Sequence, residues 1–355
     1  MVKRICFTGG GSIGHVSVNV ALIPYFQEKG YETFYIGSKN GIEREMINKL
    51  DNVPYYPISS GKLRRYFDWQ NFVDPFKVMK GVSDAYFILK KQQPTMIFSK
   101  GGFVSVPVAM AAKMLKIPIV LHESDVTPGL ANKISIKFAD HIFTTFPQAA
   151  EHLPKGQATV IGSIIRDSLF EGNAERGYQS TGLTPDKPIM MVMGGSLGSK
   201  AINDAIRQNL DYLLTEYQLI HLTGKGLKDD SLTQDGYVQY EFVTDELNDL
   251  LAITDYVISR AGSNSIFEFL ALKIPMLLIP LTVQASRGDQ LLNAQNFQNE
   301  GYALVLNEEE LSPETLKEKL VALTEQKDTI IEKMNQYQIS NSIEDFYQLI
   351  TQYEK

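Results

Sequence analysis

Ile258-Ser259-Arg260-Ala261-Gly262-Ser263-Asn264-Ser265-Ile266-Phe267-Glu268-Phe269-Leu270 is the stretch on which the fold turns. An apolar run ends at Ser259, small residues follow at Ala261-Gly262-Ser263, and helical spacing of apolar residues begins at Asn264, so the pattern predicts strand, tight turn and helix. A helix start of this kind leaves backbone N–H groups without carbonyl partners, and the macrodipole adds partial positive charge, which suits a diphosphate. Glu268, farther along the same helix, can accept two hydrogen bonds from a ribose diol. Gln290, beyond the apolar run 274–281 and Arg287-Gly288-Asp289, offers a donor and an acceptor to a hydroxyl. A single glycine turn also occurs in α/β proteins that cradle nothing, so the rest of the chain decides.

Outward from this stretch the same pattern recurs. Ile189-Met190-Met191-Val192-Met193 reads as a buried strand, and Gly194-Gly195-Ser196-Leu197-Gly198-Ser199 as the turn before a helix through Ile202, Ile206 and Leu210. Strands at 218–223 and 237–241 and a short helix carrying Leu247, Leu250, Leu251 and Ile253 lead back to the opening stretch. At the other end, Ile5-Cys6-Phe7-Thr8 runs into Gly9-Gly10-Gly11-Ser12-Ile13-Gly14-His15 and a helix through Val20, Leu22, Ile23 and Phe26. Met96-Ile97-Phe98-Ser99 precedes Lys100-Gly101-Gly102-Phe103, and Ile119-Val120-Leu121 precedes the polar run from His122-Glu123 through Asp125 to Asn132. Polar groups at the C-terminal ends of strands are where ligands sit in doubly wound sheets. The fold class is therefore α/β, with two Rossmann-like domains facing across a cleft. The first is expected to close near Ile161-Gly162. Segments 171–178 and 184–188 read as polar connectors, the tail from Ser312 as helical, and Ile343, Phe346, Leu349 and Ile350 as one face of a last amphipathic helix.

His15 follows the last glycine of its turn, and an imidazole with an ordinary pKa near ~6.5 beside an anion-binding turn is a candidate proton acceptor. A cap or bystander histidine fits the position too. His122 and Glu123 are equally readable as structural groups, and Asn132 reaches a hydroxyl or acetamido group only if it faces the cleft. Gly9 to Gly14 satisfies G-x-G-x-x-G, but the next strand ends in Gly37-Ser38-Lys39, with no acidic residue placed for an adenosine ribose. That weighs against a nicotinamide dehydrogenase.

The 355 residues suit two domains of ordinary size, and 44% hydrophobic with 21% charged residues is a globular composition. A net charge of −7 argues against general nucleic-acid binding. Cys6, the single cysteine, excludes an intramolecular disulfide and fits a reducing cytoplasm as a small core residue. The N-terminus enters a strand without an apolar h-region, so no signal peptide is expected. The most apolar region, 104–121, is interrupted by Pro107, Lys113, Lys116 and Pro118, short of the ~20 clean residues of a membrane span. Any membrane contact is then peripheral. Ser59 to Phe67 is a basic, aromatic loop, and Trp69, Phe72, Val73, Phe76, Val78 and Met79 accompany Lys77 and Lys80. Such a mixture is core plus solvated rim, or a surface that rests on anionic lipid.

With Gly9 to His15, His122-Glu123, Gly194 to Gly198 and Arg260-Ala261-Gly262 to Glu268 in this order, the sequence resembles the MurG-type family of N-acetylglucosaminyltransferases. The resemblance covers essentially the whole chain. It implies glycosyltransferase-B architecture, with an N-terminal lipid-acceptor domain over 1–163, joined by a C-terminal helix at 341–355, and a UDP-N-acetylglucosamine-binding domain over 164–340. It implies inverting transfer of N-acetylglucosamine from UDP-N-acetylglucosamine to the C4 hydroxyl of undecaprenyl-diphospho-muramoylpentapeptide, in peptidoglycan synthesis at the cytoplasmic face of the membrane. Carried over by motif, Ser196 and Gly195 meet the diphosphate with Ala261, Gly262 and Ser263, Glu268 the uridine ribose, and Arg166 the donor. Val243 stands where uracil is read through backbone, and Asn132 and Gln290 grip the sugar. Ser12, Ile13, Gly14 and Gly102 fall on the acceptor side. Ile13 replaces a usual glycine and Asp125 a common amide residue, which bears on how tightly the acceptor diphosphate sits.

His15 is the preferred general base, with Asp125 or Glu123 (beside His122) as alternatives. The chain has no Asp-x-Asp motif, so neither an obligatory metal nor another cofactor is expected. The rivals are a UDP-N-acetylglucosamine 2-epimerase, which needs no acceptor, and a non-catalytic sugar-nucleotide sensor.

Overall fold

The computed structural model describes residues 3–12, 14–61, 70–195, 197–244, 246–283, 288–337 and 342–354, with backbone only at 70–73. The chain forms two compact units, Met1–Arg166 with Ser340–Lys355, and Asp167–Ile339.

The first unit carries strands β1 (Arg4–Thr8), β2 (Glu32–Ser38), β3 (Tyr55–Ile58), β4 (Met96–Ser99), β5 (Ile119–Glu123), β6 (His141–Thr144) and β7 (Ala158–Val160). They form one seven-stranded sheet in the order β3-β2-β1-β4-β5-β6-β7, every pairing parallel. Strands such as Ile5-Cys6-Phe7 and Met96-Ile97-Phe98 are unbroken apolar runs because helices cover both faces. The connecting helices are α1 (Gly14–Glu28), α2 (Ile42–Ile47), α3 (Gln70–Gln92), α4 (Ser105–Leu115), α5 (Leu130–Ser135) and α6 (Pro147–Glu151). One core gathers Phe7, Leu22, Phe26, Phe98 and Phe143, and the other gathers Cys6, Phe34, Ile97, Ala109 and Leu121. The strand order reverses between β1 and β4, and the C-terminal ends of strands at such a reversal are where ligands sit in doubly wound sheets. The loops after both strands are glycine turns.

The second unit carries β8 (Ile189–Met193), β9 (Gln218–Leu222), β10 (Tyr237–Tyr240), β11 (Tyr256–Ser259), β12 (Met276–Leu278) and β13 (Ala303–Val305). These form a six-stranded parallel sheet, β10-β9-β8-β11-β12-β13, whose order reverses between β8 and β11. Its helices are α7 (Ala174–Thr181), α8 (Lys200–Gln208), α9 (Leu210–Glu216), α10 (Leu247–Ala252), α11 (Ser263–Leu272), α12 (Asp289–Asn299), α13 (Pro313–Glu325) and α14 (Lys327–Gln336). Helix α7 corrects the expectation of a polar connector across 171–178. Asn173 caps it by accepting from the Arg176 N–H at 3.0 Å, and Gly182 ends it in the left-handed conformation. Gly177 is its one buried residue, so an apolar stripe was not there to be read. The helix is tied to α10 through the Arg176–Asp249 pair, with nitrogen–oxygen distances of 2.6 and 2.7 Å.

After the second unit the chain returns to the first as α15 (Ile343–Thr351). Phe346 is fully buried there, edge-on to Phe98 and Phe143 at 5.6 and 5.2 Å.

Candidate active site

In the first unit, Gly9, Gly10 and Gly11 of the turn after β1 are each hydrogen-bonded to neighbouring groups. The Gly10 N–H donates to the Gly101 carbonyl at 3.2 Å, which joins the β1 and β4 turns. A Cβ on Gly102 would lie 2.1 Å from the Gly10 oxygen, so only glycine allows this approach. The Gly9 carbonyl accepts from the Tyr35 hydroxyl at 2.9 Å, and the Gly11 N–H donates to Glu43 at 3.3 Å. His15, half-buried at the start of α1, sets Nδ1 3.1 Å from the Gly10 carbonyl. A carbonyl only accepts, so the neutral ring carries its proton on Nδ1 and its lone pair on Nε2. This is the tautomer a base requires.

The loop after β5 is organised by Glu123. Its carboxylate is buried and accepts from the Asp125 N–H (3.1 Å), the Gly129 N–H (3.0 Å) and the Asn132 amide (2.8 Å). Burial and the neighbouring Asp125 push its pKa up, while Lys100 and the hydrogen bonds oppose them. A carboxyl that accepts from three donors holds the loop after β5 in shape. Asn132 is 4% exposed and its amide N–H donates to Glu123, while its side-chain oxygen has no hydrogen-bond partner among the described residues. His122 is buried beside Thr145 and Phe346, and burial, then Lys100, keeps it neutral, with its pKa far below the ordinary range. Lys100 is buried between the glycine turns and this loop, its ammonium without a hydrogen-bond partner among the described residues. Burial lowers its pKa to about 8 against the pull of Glu123 and Asp125.

In the second unit, Gly194-Gly195 and Leu197-Gly198 follow β8, and Ser199 caps α8 by accepting from the Ile202 N–H at 3.3 Å. The turn after β11 is held by Arg260, which is 6% exposed. Its guanidinium donates to the Ile279 and Pro280 carbonyls at 3.0 and 3.2 Å and to the Ser199 hydroxyl at 2.6 Å, and it pairs with Glu308. One side chain thus locks the two glycine turns of the switch point together. Asn293, fully buried, donates to the Ala261 carbonyl at 3.1 Å. Cβ atoms on Gly195 or Gly262 would meet nothing within 4 Å, so the backbone at both turns faces open space. Glu268 is half-buried on α11, and Val243 is buried beside an exposed Phe242. Gln290 spends its side-chain oxygen on the Leu281 N–H at 3.1 Å, and no hydrogen bond engages its amide donors among the described residues.

Ser12, Gly14, His15, Gly102, Asp125, Glu123 and Asn132 thus belong to the first unit, and Gly195, Val243, Ala261, Gly262, Ser263, Glu268 and Gln290 to the second. Arg166 closes the first unit, half-buried. Ile13 and Ser196 lie outside the described residues, as do the basic-aromatic segment 62–69 and Arg287. Glu43, Lys100 and the bridging role of Arg260 were not found by motif. A charged residue inside an apolar or glycine-rich run is the only sequence signal Lys100 and Arg260 give.

The glycosyltransferase family 28 N-terminal domain model matches residues 5–144, and the family 28 C-terminal domain model matches 189–351. A UDP-N-acetylglucosamine--N-acetylmuramyl-(pentapeptide) pyrophosphoryl-undecaprenol N-acetylglucosamine transferase of Staphylococcus carnosus is 60% identical over 337 residues, 95% of this chain and 93% of that one. The chain belongs to the MurG-type family. A crystal structure of MurG from Acinetobacter baumannii shares the fold, with TM-score 0.77 and 22% identity over 99% of both chains. The architecture of this MurG-type chain is glycosyltransferase-B. The same fold carries other chemistry, since a UDP-GlcNAc 2-epimerase from Neisseria meningitidis aligns with TM-score 0.71 at 11% identity over 98% of both chains.

Proposed function

We propose that the chain transfers N-acetylglucosamine from UDP-N-acetylglucosamine to the C4 hydroxyl of undecaprenyl-diphospho-muramoylpentapeptide, with inversion. The 60% identity to a transferase so named, over nearly the whole length of both chains, carries this reading. The second unit takes the donor, and the first takes the lipid acceptor. The C4 hydroxyl attacks the anomeric carbon as its proton passes to His15 Nε2, the glycosidic bond to UDP breaks, and UDP leaves with the bonding pair. Asp125 is the alternative base.

Charge growing on the leaving diphosphate meets the backbone N–H groups at Gly195 and at Ala261, Gly262 and Ser263, with Ser196 and Arg166. Helix starts supply this potential before the reaction begins, so no metal is needed for it. Glu268 takes the uridine ribose, the backbone at Val243 the uracil, and Asn132 and Gln290 the sugar. Ser12, Ile13, Gly14 and Gly102 meet the acceptor.

The site of action is the cytoplasmic face of the cell membrane, held peripherally and without nucleic acid. Phe76, Met79 and Phe87 are exposed along one face of α3, with Lys77 and Lys80 beside them. No helix among the described residues is long and apolar enough to cross a membrane.

Incubation with labelled UDP-N-acetylglucosamine and a short-chain lipid-linked muramoylpentapeptide tests the reading. Label should move to the lipid, and no epimerised sugar should form from the donor alone. Label that stays on the nucleotide, or a donor that epimerises unaided, overturns it. Glu268→Ala should weaken UDP binding by about 1.5–3 kcal/mol, the scale of hydrogen bonds to a charged group. Unchanged affinity removes the ribose role.

A further inference from the structure

The turn after β1 is gripped by a carboxylate from another element. Glu43 stands in the first turn of α2 and is fully buried. One of its oxygens accepts from the Ser38 N–H at 2.9 Å and from the Ser38 hydroxyl, and the other accepts from the Gly11 N–H. A Cβ on Gly10 would lie 2.6 Å from the carboxyl carbon, and one on Gly41 2.3 Å from it, so both glycines make room for this group. Arg44, next in sequence, turns away to the Lys39 carbonyl. No cation pairs with Glu43 among the described residues.

Among the described residues, all three hydrogen-bond partners of the carboxylate donate to it. Glutamine would set its NH2 against one of these N–H groups, so a group that only accepts is required. A buried carboxylate without a cation is costly to keep, and these hydrogen bonds are what compensate it. What they fix is the backbone at Gly10 and Gly11. The carbonyl of Gly10 is also the partner of His15 Nδ1. Carboxylate and imidazole thus hold the two ends of one peptide group, the Gly11 N–H and the Gly10 carbonyl.

We propose that Glu43 is a positioning residue for the acceptor side: by fixing Gly10 and Gly11 it sets where His15 presents Nε2 and where the amides beyond Gly11 meet the acceptor's phosphates. The inference rests on the acceptor reading above. An acid does reach the end of β2, where a dinucleotide-binding domain would use one for the adenosine ribose, but here its oxygens are turned inward onto the protein.

The test is steady-state kinetics of Glu43→Gln, with the lipid acceptor varied at saturating UDP-N-acetylglucosamine and the reverse, beside calorimetric UDP binding. Acceptor KM should rise about tenfold with a fall in kcat, while donor KM and UDP affinity stay within about twofold. A folded variant with wild-type acceptor constants overturns the proposal, as does one in which donor and acceptor constants worsen together. Should Glu43→Gln fail to fold, Ser38→Ala removes only the hydroxyl donor. It should raise acceptor KM about threefold with donor KM unchanged, and a wild-type acceptor KM there overturns the proposal. Absence of transfer by the unaltered protein is a failure of the function reading, visible before any variant is made.

Discussion

Lys100 carries an ammonium into the interior of the first unit, where burial lowers its pKa to about 8 from an ordinary 10.5. Between those two values the unfolded chain holds a proton that the folded chain has released. Stability therefore rises with pH across that window, and the full penalty is present below about pH 8. Against Lys100→Met, which lacks the group, the wild type should gain up to about 3 kcal/mol between pH 8 and 10.5. Tyrosines titrating in the same range are common to both proteins and cancel. Urea unfolding of the pair at several pH values measures the difference. A gap that stays constant with pH removes the buried ammonium from the account. Arg260 poses a geometric question instead. A lysine at 260 keeps the charge but cannot reach two carbonyls, Ser199 and Glu308 from one flat fork. Arg260→Lys should weaken UDP binding by about 1.5–3 kcal/mol, read by calorimetry. An unchanged affinity means the two turns hold their geometry without the bridge.

At the level of elements, the four glycine turns were legible because each needs small residues where a strand stops and a helix starts, and that requirement is local. Helix α15 was legible too, since Ile343, Phe346 and Ile350 repeat at helical spacing and all three are buried. Helix α7 was hidden because its contact with α10 is made by a glycine and an ion pair. Glu43 was hidden for another reason. It lies five residues past the end of β2, and nothing in its neighbours says that its side chain folds back onto Gly11, 32 residues earlier. Which group a side chain reaches is decided by tertiary packing, as with Asn132, whose amide N–H meets Glu123. The weight carried by α15 can be measured. Phe346 packs on Phe98, Phe143 and His122, so Phe346→Ala should cost about 3–5 kcal/mol. Donor binding, which belongs to the other unit in the proposed function, should persist in buffer. Loss of UDP affinity in the folded variant would show that the helix acts beyond the unit it packs on.

For the whole molecule, a net charge of −7 makes approach to an anionic bilayer unfavourable at long range. Any attachment must come from a local surface that outweighs the mean. The exposed face of α3 has the composition for it: Phe76 and Met79 are 77% and 62% exposed, three residues apart, and Lys80, Lys90 and Lys91 lie exposed on the same helix. Aromatic and thioether groups enter the acyl boundary while the ammoniums meet lipid phosphates, at about 1 kcal/mol for each lysine near the surface. Screening over about 10 Å at 0.1 M salt reduces the second part and leaves the first. The intact protein should therefore sediment with phosphatidylglycerol vesicles more than with phosphatidylcholine vesicles, and added salt should lower binding without abolishing it. Phe76→Asp with Met79→Asp should abolish it, while UDP affinity and turnover on a water-soluble acceptor analogue stay as in the wild type. Equal sedimentation of the double variant would place the membrane contact elsewhere on the molecule. Binding indifferent to both salt and lipid charge would show that the lysines are only the solvated rim of α3.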